Sequence, residues 1–356
     1  MRNRLFIAIG LLSLAALPMA GQNGNSIPRM ADGHPDLQGT YDLATITPLE
    51  RLPGDPPFLT KEKADALRKA ELARRAEDNK PSRADRPAPP VGGDKTPPKS
   101  FFEILEKAGG GAVGGYNRFW LNQGTQYTVV DGQIRTSIVV DPENGHVPPY
   151  NAVARKRMAS ARGATPTSDQ RENNDPTAEP PGAFDNPEQR PLGERCLLGF
   201  GSTSGPPALP DYFYNDLHQI VQTPNSIMIL SEMVHDARIV RMNAQHLPKD
   251  IRRWMGDSVG HWEGDTLVVD TTNFNDKTRF RGSTDNLHVI ERFTRIDAKT
   301  LLYRFTVEDP ETWDKPWTGE YTWPATDKPI YEYACHEGNY ALADILRGAR
   351  AEEGSK

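Results

Sequence analysis

The feature that most constrains this chain is an alternation of apolar and polar residues that recurs from Gln126 to the C-terminal region. It is clearest in the segment 300–308, where one face would carry the apolar side chains of Leu301, Tyr303, Phe305 and Val307. Because successive side chains of a strand point to opposite faces, a period of two indicates strands with one buried face. The 31 prolines and 30 glycines, about a sixth of the chain against a usual 12% or so, argue against a helical bundle.

Short turn sequences between these segments indicate hairpins, notably Asp131-Gly132 and Glu263-Gly264-Asp265. The predicted hairpin pairs are 126–130 with 133–140, 261–262 with 266–270, and 288–296 with 300–307. Further strands are predicted at 35–42, 217–223, 226–234, 237–242, 317–323 and 330–333. About ten strands joined by tight turns predict a mainly β fold, an antiparallel meander closed as a lipocalin-like barrel, with a β-sandwich as the alternative. Long loops and a few short helices complete this prediction.

The N-terminus has the form of a secretory signal peptide. Within residues 1–20, Arg2 and Arg4 precede an apolar run, and small residues follow around Ala20. Residues 21–125 are predicted to wrap the fold, with one helix at 58–78 and a proline-rich linker at 79–99. Residues 126–356 are predicted to form a β-rich domain with a loop insertion at 141–210 and a short terminal helix at 340–350.

Charge and cysteine content limit the partners and the compartment. The 48 acidic residues outnumber the 42 basic ones, so a nucleic-acid partner is not expected. No second long apolar stretch follows the signal peptide, so no transmembrane span is expected once it is removed. In an oxidising compartment, Cys196 and Cys335 are predicted to form a disulfide. This bond would close a loop of about 140 residues and add about 4 kcal/mol in the chain-entropy model.

A dense polar block beside the predicted strand 226–234 supplies the candidate catalytic residues. His235 is the predicted acid or base, and Glu232 and Asp236 are the predicted catalytic carboxylates that orient it. Arg238 is predicted to bind an anionic group of a substrate. The alternative is an ordinary hairpin turn rimmed by polar residues. The further predicted substrate-binding residues are His218, His261 and Glu332.

Other motifs support no additional chemistry. No histidine pair has a recognised metal-binding spacing, so no metal and no other cofactor is predicted. A metal held by some of the histidines and Glu232 is the alternative, with candidates His218, His235, His261 and His288. The block Gly256-Asp257-Ser258 is similar to one found in serine esterases. It lacks the Gly-x-Ser-x-Gly elbow, so Ser258 is not predicted to be a nucleophile.

Four blocks give the C-terminal half a recognisable pattern: 219–224, 232–238, 256–270 and 331–339. With these blocks, the segment 195–353 resembles a widespread family of uncharacterised exported bacterial proteins, and covers a little under half of the chain. The resemblance implies an exported, β-rich protein. It implies no activity, and no catalytic residue is taken from it.

Two main hypotheses of function follow. The first is a periplasmic or secreted enzyme of hydrolase, lyase or isomerase type, acting on a small organic or carbohydrate-derived substrate. The second is a non-catalytic binding protein for an apolar or sugar-like ligand, with a cavity lined mostly by Trp, Tyr and Leu. A structural module of the cell envelope is a third possibility. Convergence of Glu232, His235, His261 and Glu332 in one pocket would favour the enzyme.

Overall fold

The computed structural model of the protein describes residues 27–78, 124–161, 184–199, 204–210, 214–278 and 280–354. Within these ranges it has three α-helices, α1 (Lys61–Asp78), α2 (Ala152–Ala161) and α3 (Tyr340–Glu353). The thirteen strands are β1 (Gly39–Asp42), β2 (Phe58–Leu59), β3 (Val129–Val130), β4 (Gln133–Arg135), β5 (Val139–Asp141), β6 (Leu217–Gln222), β7 (Ser226–Ser231), β8 (Ala237–Met242), β9 (Asp257–Glu263), β10 (Thr266–Thr272), β11 (His288–Arg295), β12 (Thr300–Glu308) and β13 (Trp317–Pro324).

Ten of these strands form one curled sheet, in the order β1-β6-β7-β8-β9-β10-β11-β12-β13-β5, and β2, β4 and β3 form a small second sheet. Neighbouring strands of the large sheet are antiparallel except β8 and β9, which are parallel with Val240 opposite Ser258. Parallel neighbours need a crossover rather than a hairpin, and the loop 243–256 provides it. The prediction of a uniformly antiparallel meander is therefore wrong at this pair.

The large sheet curls into a half-barrel and remains open between its edge strands β1 and β5. An isolated bridge between Tyr41 and Ala325 connects β1 to the chain that follows β13. The amide of Thr326 also donates a hydrogen bond to the carbonyl of Thr40, with an N–O distance of 2.8 Å. The predicted mainly β class is confirmed, whereas closure into a lipocalin-like barrel is not.

Aromatic side chains fill the concave face of the sheet. The Tyr303 ring lies 4.6 Å from that of Trp323, 5.0 Å from that of Phe293 and 5.6 Å from that of Tyr321, and all four side chains are fully buried. Residues 204–210, which we call the strap, cross this layer. The Ala208 amide donates to the Tyr303 hydroxyl, and the Tyr321 hydroxyl donates to the Ala208 carbonyl. Ring packing and backbone hydrogen bonds thus fix the strap on the sheet.

Local signals predicted many elements correctly. The Asp131-Gly132 turn is confirmed, and both residues have the positive φ that such hairpins need, 51° and 74°. The helix predicted at 58–78 begins only at Lys61, because residues 58–59 pair with β4 instead. The predicted strand 330–333 is wrong, since these residues have an irregular conformation in the structure. Helix α2 inside the loop insertion was not predicted.

Of the remaining sequence predictions, the structure confirms the disulfide bond and does not test the signal peptide, the linker or the domain boundaries. Cys196 and Cys335 form the predicted disulfide, with their Cα atoms 5.8 Å apart. None of the helices in the described ranges is long and apolar enough to cross a membrane. The signal peptide at 1–20 and the linker at 79–99 lie outside the described residues. The predicted domain boundaries stay predictions.

Candidate functional site

The candidate site is centred on residues 232–236 between β7 and β8, which we call the site turn. The amide of Ser231 donates to the carbonyl of Asp236 at 2.8 Å and closes the turn. Val234 and His235 both have positive φ, 57° and 49°. This region disfavours L-residues and especially β-branched ones, so the turn is locally strained, as functional sites often are. Its conformation places His235 in solvent and buries Glu232.

Residues 331–335, which we call the anchored segment, hold the site turn from the other side. The Tyr331 amide donates to Oε1 of Glu232 at 3.0 Å, and Nδ1 of His235 lies 3.1 Å from the Tyr333 carbonyl oxygen. Two residues further on, Cys335 is bonded to Cys196. Because a carbonyl oxygen only accepts, His235 Nδ1 must carry the proton. In the neutral ring, Nε2 then holds the lone pair.

Asp236 follows His235 directly and is largely buried. Burial raises the pKa of its carboxyl group from its ordinary value to about 7, against the opposing influence of His235 and of the Gly199 backbone. Its Oδ2 atom is buried, and none of the described residues bonds it. A carboxyl group in this environment keeps its proton at far higher pH than an exposed aspartate does. The site turn therefore places an oriented imidazole next in sequence to a carboxyl group whose pKa is raised towards neutrality.

His218 lies on the concave face of β6, opposite Ser231 of β7. It is fully buried, and burial lowers the pKa of its imidazole to about 4, although the backbone of Ser204 and of Asp216 partly offsets this. Among the described residues, neither ring nitrogen has a hydrogen bond of normal geometry, and none of these residues bonds the Ser204 and Ser231 hydroxyl groups. Buried polar atoms of this kind require an ordered water or a polar ligand group.

Arg238 also points into the concave face, but its guanidinium group is already paired. Glu291 binds it with both carboxylate oxygens, at 2.5 and 2.8 Å, and the Tyr303 hydroxyl donates to the same carboxylate at 2.8 Å. Ser258 Oγ completes the network through Arg238 and Thr271. The positive charge of Arg238 is thus neutralised, and the geometry does not support its predicted role in binding a substrate anion.

The other two predicted substrate-binding residues occupy different surroundings. Glu332 is exposed on the anchored segment, between the residues that contact Glu232 and His235. His261 lies on the outer face of β9, half exposed, with its Nε2 3.2 Å from Glu263. Of the four groups expected to converge, Glu232 and His235 therefore lie in the site turn, Glu332 lies exposed on the neighbouring anchored segment, and His261 lies elsewhere.

The described residues offer no grouping suited to a metal ion. Within the described ranges, no three or more His, Cys, Asp or Glu side chains are grouped so as to hold a metal ion. His288, one of the alternative metal candidates, lies on the outer face of the sheet, where Asp270 and Glu308 bind its ring nitrogens at 3.0 and 3.3 Å. The prediction that no cofactor is required stays a prediction.

His288 belongs to a second cluster that sequence reasoning missed. Its other members come from β8, β9, β10 and β12 and from the loop 243–256, and we call the set of six the outer cluster: Arg241, His246, Asp257, Asp270, His288 and Glu308. Residue spacing contains no signal for it, because five of the side chains come from five separate strands and the sixth from a loop. Only the strand order and register bring them together.

No family model matches the chain, and no curated protein and no solved structure is significantly similar to it. The resemblance of 195–353 to an exported bacterial family therefore stays a prediction. The fold and the site define a mainly β protein with a half-barrel sheet and a strained histidine–carboxylate turn at one end of β7.

Proposed function

We propose that this protein is an exported enzyme of hydrolase, lyase or isomerase type, which acts on a small organic or carbohydrate-derived substrate by acid–base chemistry at the site turn. The observation that carries the proposal is the hydrogen bond from His235 Nδ1 to the Tyr333 carbonyl. It leaves Nε2 of an exposed imidazole available as a base in a defined orientation.

In this proposal His235 accepts a proton from the substrate, and Asp236 donates one. A carboxyl group whose pKa is raised towards neutrality by burial is suited to act as a general acid. The burial that raises the pKa of Asp236 to about 7 supports its role as the acid. Glu232 acts as a positioning residue, because its carboxylate holds the anchored segment that orients His235.

A periplasmic or secreted location is part of the proposal. The formed disulfide between Cys196 and Cys335 supports it, because such bonds persist in oxidising compartments. The same bond lies two residues from Tyr333, so an oxidising compartment would also keep His235 oriented.

A second candidate is a binding protein for a polar, sugar-like ligand. The buried hydroxyl groups of Ser204 and Ser231 favour it, since none of the described residues bonds them and hydroxyl groups of a ligand would satisfy them. An apolar ligand is not favoured on this side of the sheet. The rings that would line its cavity, such as Tyr303 and Trp323, pack directly against each other.

The test is to incubate the purified mature protein with a mixed metabolite extract and to follow consumed and produced compounds by mass spectrometry. Replacing His235 with Ala should lower turnover by about 10²–10⁴-fold, the usual contribution of general acid–base catalysis. His146→Ala is the matched control, because His146 is a similarly exposed histidine that pairs only with Glu50 at 3.6 Å among the contacts described.

Circular dichroism should show both variants folded. Unchanged turnover in His235→Ala would exclude the site turn as the catalytic site. A compound that the protein binds saturably without forming any product would instead support the binding protein.

A further inference from the structure

The outer cluster is a continuous row of charged side chains across the convex face of the sheet. Five consecutive strands, β8 to β12, contribute one residue each, and His246 comes from the loop 243–256: the strand residues are Arg241, Asp257, Asp270, His288 and Glu308. The cluster is independent of the site turn, which lies at the β7–β8 connection. It therefore does not rest on the proposed enzyme function.

Each imidazole in the row lies between two carboxylates. Nδ1 of His246 is 3.2 Å from Asp257 and its Nε2 is 2.9 Å from Oδ1 of Asp270. Nε2 of His288 is 3.0 Å from the other oxygen of Asp270, and its Nδ1 is 3.3 Å from Glu308. All four ring nitrogens thus face a carboxylate oxygen.

An ionised carboxylate only accepts hydrogen bonds, so all four nitrogens must carry protons for this arrangement to be favourable. Both histidines are then imidazolium cations. With Arg241, which binds Asp257 at 2.9 and 3.0 Å, the row has three positive charges. The three carboxylates of Asp257, Asp270 and Glu308 balance them. Deprotonation of both rings would leave two uncompensated negative charges and two lone pairs directed at carboxylates.

The electrostatic surroundings of His288 agree with this geometry. The hydrogen bond to Asp270, supported by the charges of Asp270 and Glu308, raises the pKa of its imidazole above the ordinary value, although burial acts in the opposite sense. Burial raises the pKa of Asp270 by itself, but the bonds to His288 and His246 outweigh it and lower the pKa overall.

We propose that the outer cluster is a pH-dependent clasp, which holds the loop 243–256 on the sheet while His288 is protonated and loosens it when His288 loses its proton. His246 belongs to this loop, and the neighbouring Leu247 amide donates to Asp257 at 2.9 Å. Other parts of the loop have separate attachments, since the Asn273 side chain donates to the Leu247 and Pro248 carbonyls and the Arg253 amide donates to the Asn273 carbonyl. The release is therefore limited to the contacts of the His246 side chain and of the Leu247 amide.

The direction in which the stability of the clasp changes with pH follows from the pKa shifts of its histidine and of its carboxylates. A histidine whose pKa is raised by folding stabilises the clasp fully below about pH 6.5, its unfolded value, and this contribution is lost as the pH rises through the higher folded value. Carboxylates with lowered pKa stabilise it above about pH 4 and lose this contribution on further acidification. The clasp is closed between these limits and opens on the alkaline side.

The first measurement uses the wild-type protein, so it does not depend on a variant that folds. Nitrogen-15 NMR of the histidine side chains should show His288 titrating above about pH 6.5, the unperturbed value. Hydrogen exchange of the Leu247 amide, corrected for its intrinsic pH dependence, should accelerate as the pH rises from about 6 to about 9, because His288 loses its proton in this range.

His288→Gln removes the titrating charge, and His246→Gln removes the contact between the loop 243–256 and Asp270. In both, Leu247 should exchange at a fast rate that no longer depends on pH beyond the intrinsic chemistry. His261→Gln is the matched control, because His261 lies on the same face with a single carboxylate partner, Glu263. It should behave like the wild type. A His288 titration at or below the unperturbed value, or an equal effect of His261→Gln, would overturn the clasp.

Discussion

The buried pair of Arg238 and Glu291 offers the most direct test of how the concave face is stabilised. Glu291 is fully buried and Arg238 is 6% exposed, so water does not screen either charge. Replacing Arg238 with Met keeps the length and apolar character of the side chain but removes the cation. Glu291 would then lose two charge-assisted hydrogen bonds and keep the donor from Tyr303.

Removing one member of a buried pair leaves the other charge uncompensated, which costs about 3–5 kcal/mol of unfolding free energy. The double variant Arg238→Met with Glu291→Met should recover most of this loss, because it removes both charges together. Arg292 provides a control next to Glu291 in the sequence. It pairs with Glu263 on the outer face, where both side chains are well exposed, and Arg292→Met should cost less than about 1 kcal/mol.

Urea unfolding followed by tryptophan fluorescence suits this comparison, since Trp313, Trp317 and Trp323 are all buried and report on the core. The reasoning would be refuted if Arg238→Met cost no more than Arg292→Met. It would also be refuted if the double variant were as unstable as the single one, because the loss would then come from packing rather than charge.

Two further outcomes are expected. Gly319→Ala should cost about 1–3 kcal/mol of unfolding free energy, because the added Cβ would lie 2.2 Å from the buried Phe305 ring. Gly348→Ala is the control, since Gly348 has open space around it and its replacement should not destabilise the protein. Equal urea midpoints for the two variants would contradict this expectation. Asp236→Asn should become more stable relative to the wild type as pH rises from about 4 to about 7. Burial raises the pKa of Asp236 to about 7, so the unfolding free energy of the wild type decreases over that range as the unfolded chain releases this proton first. Thermal unfolding at several pH values measures the difference, and parallel pH curves for the two proteins would show that Asp236 is not responsible.

The elements that sequence predicted well are those whose signals are local. The turns at Asp131-Gly132 and Glu263-Gly264-Asp265 determine their own hairpins, and the alternation in 300–308 predicts its buried face correctly. The parallel pairing of β8 and β9 depends on how the loop 243–256 returns, which composition does not specify. The segment 331–335 alternates like a strand, but a carboxylate and a disulfide hold it instead of a ladder.

The same distinction applies to the candidate site. The density of charged groups at 232–238 was visible in the sequence, and three of the predicted residues lie together at the site turn. The partner of Arg238 was not visible, because Glu291 is 53 residues away. The link between His246, Asp270 and His288 likewise requires the order of β9, β10 and β11 in the sheet.

The disulfide also has a consequence for the order of assembly. All eight strands from β6 to β13 lie between Cys196 and Cys335, so the bond makes the middle of the sheet a closed covalent ring. The two strands outside the ring, β1 and β5, are synthesised first yet occupy the two outer edges. Since chains emerge from the ribosome N-terminus first, β5 can pair in the sheet only after β13, the last of these strands, has been synthesised. The half-barrel is therefore completed only when nearly the whole chain has emerged.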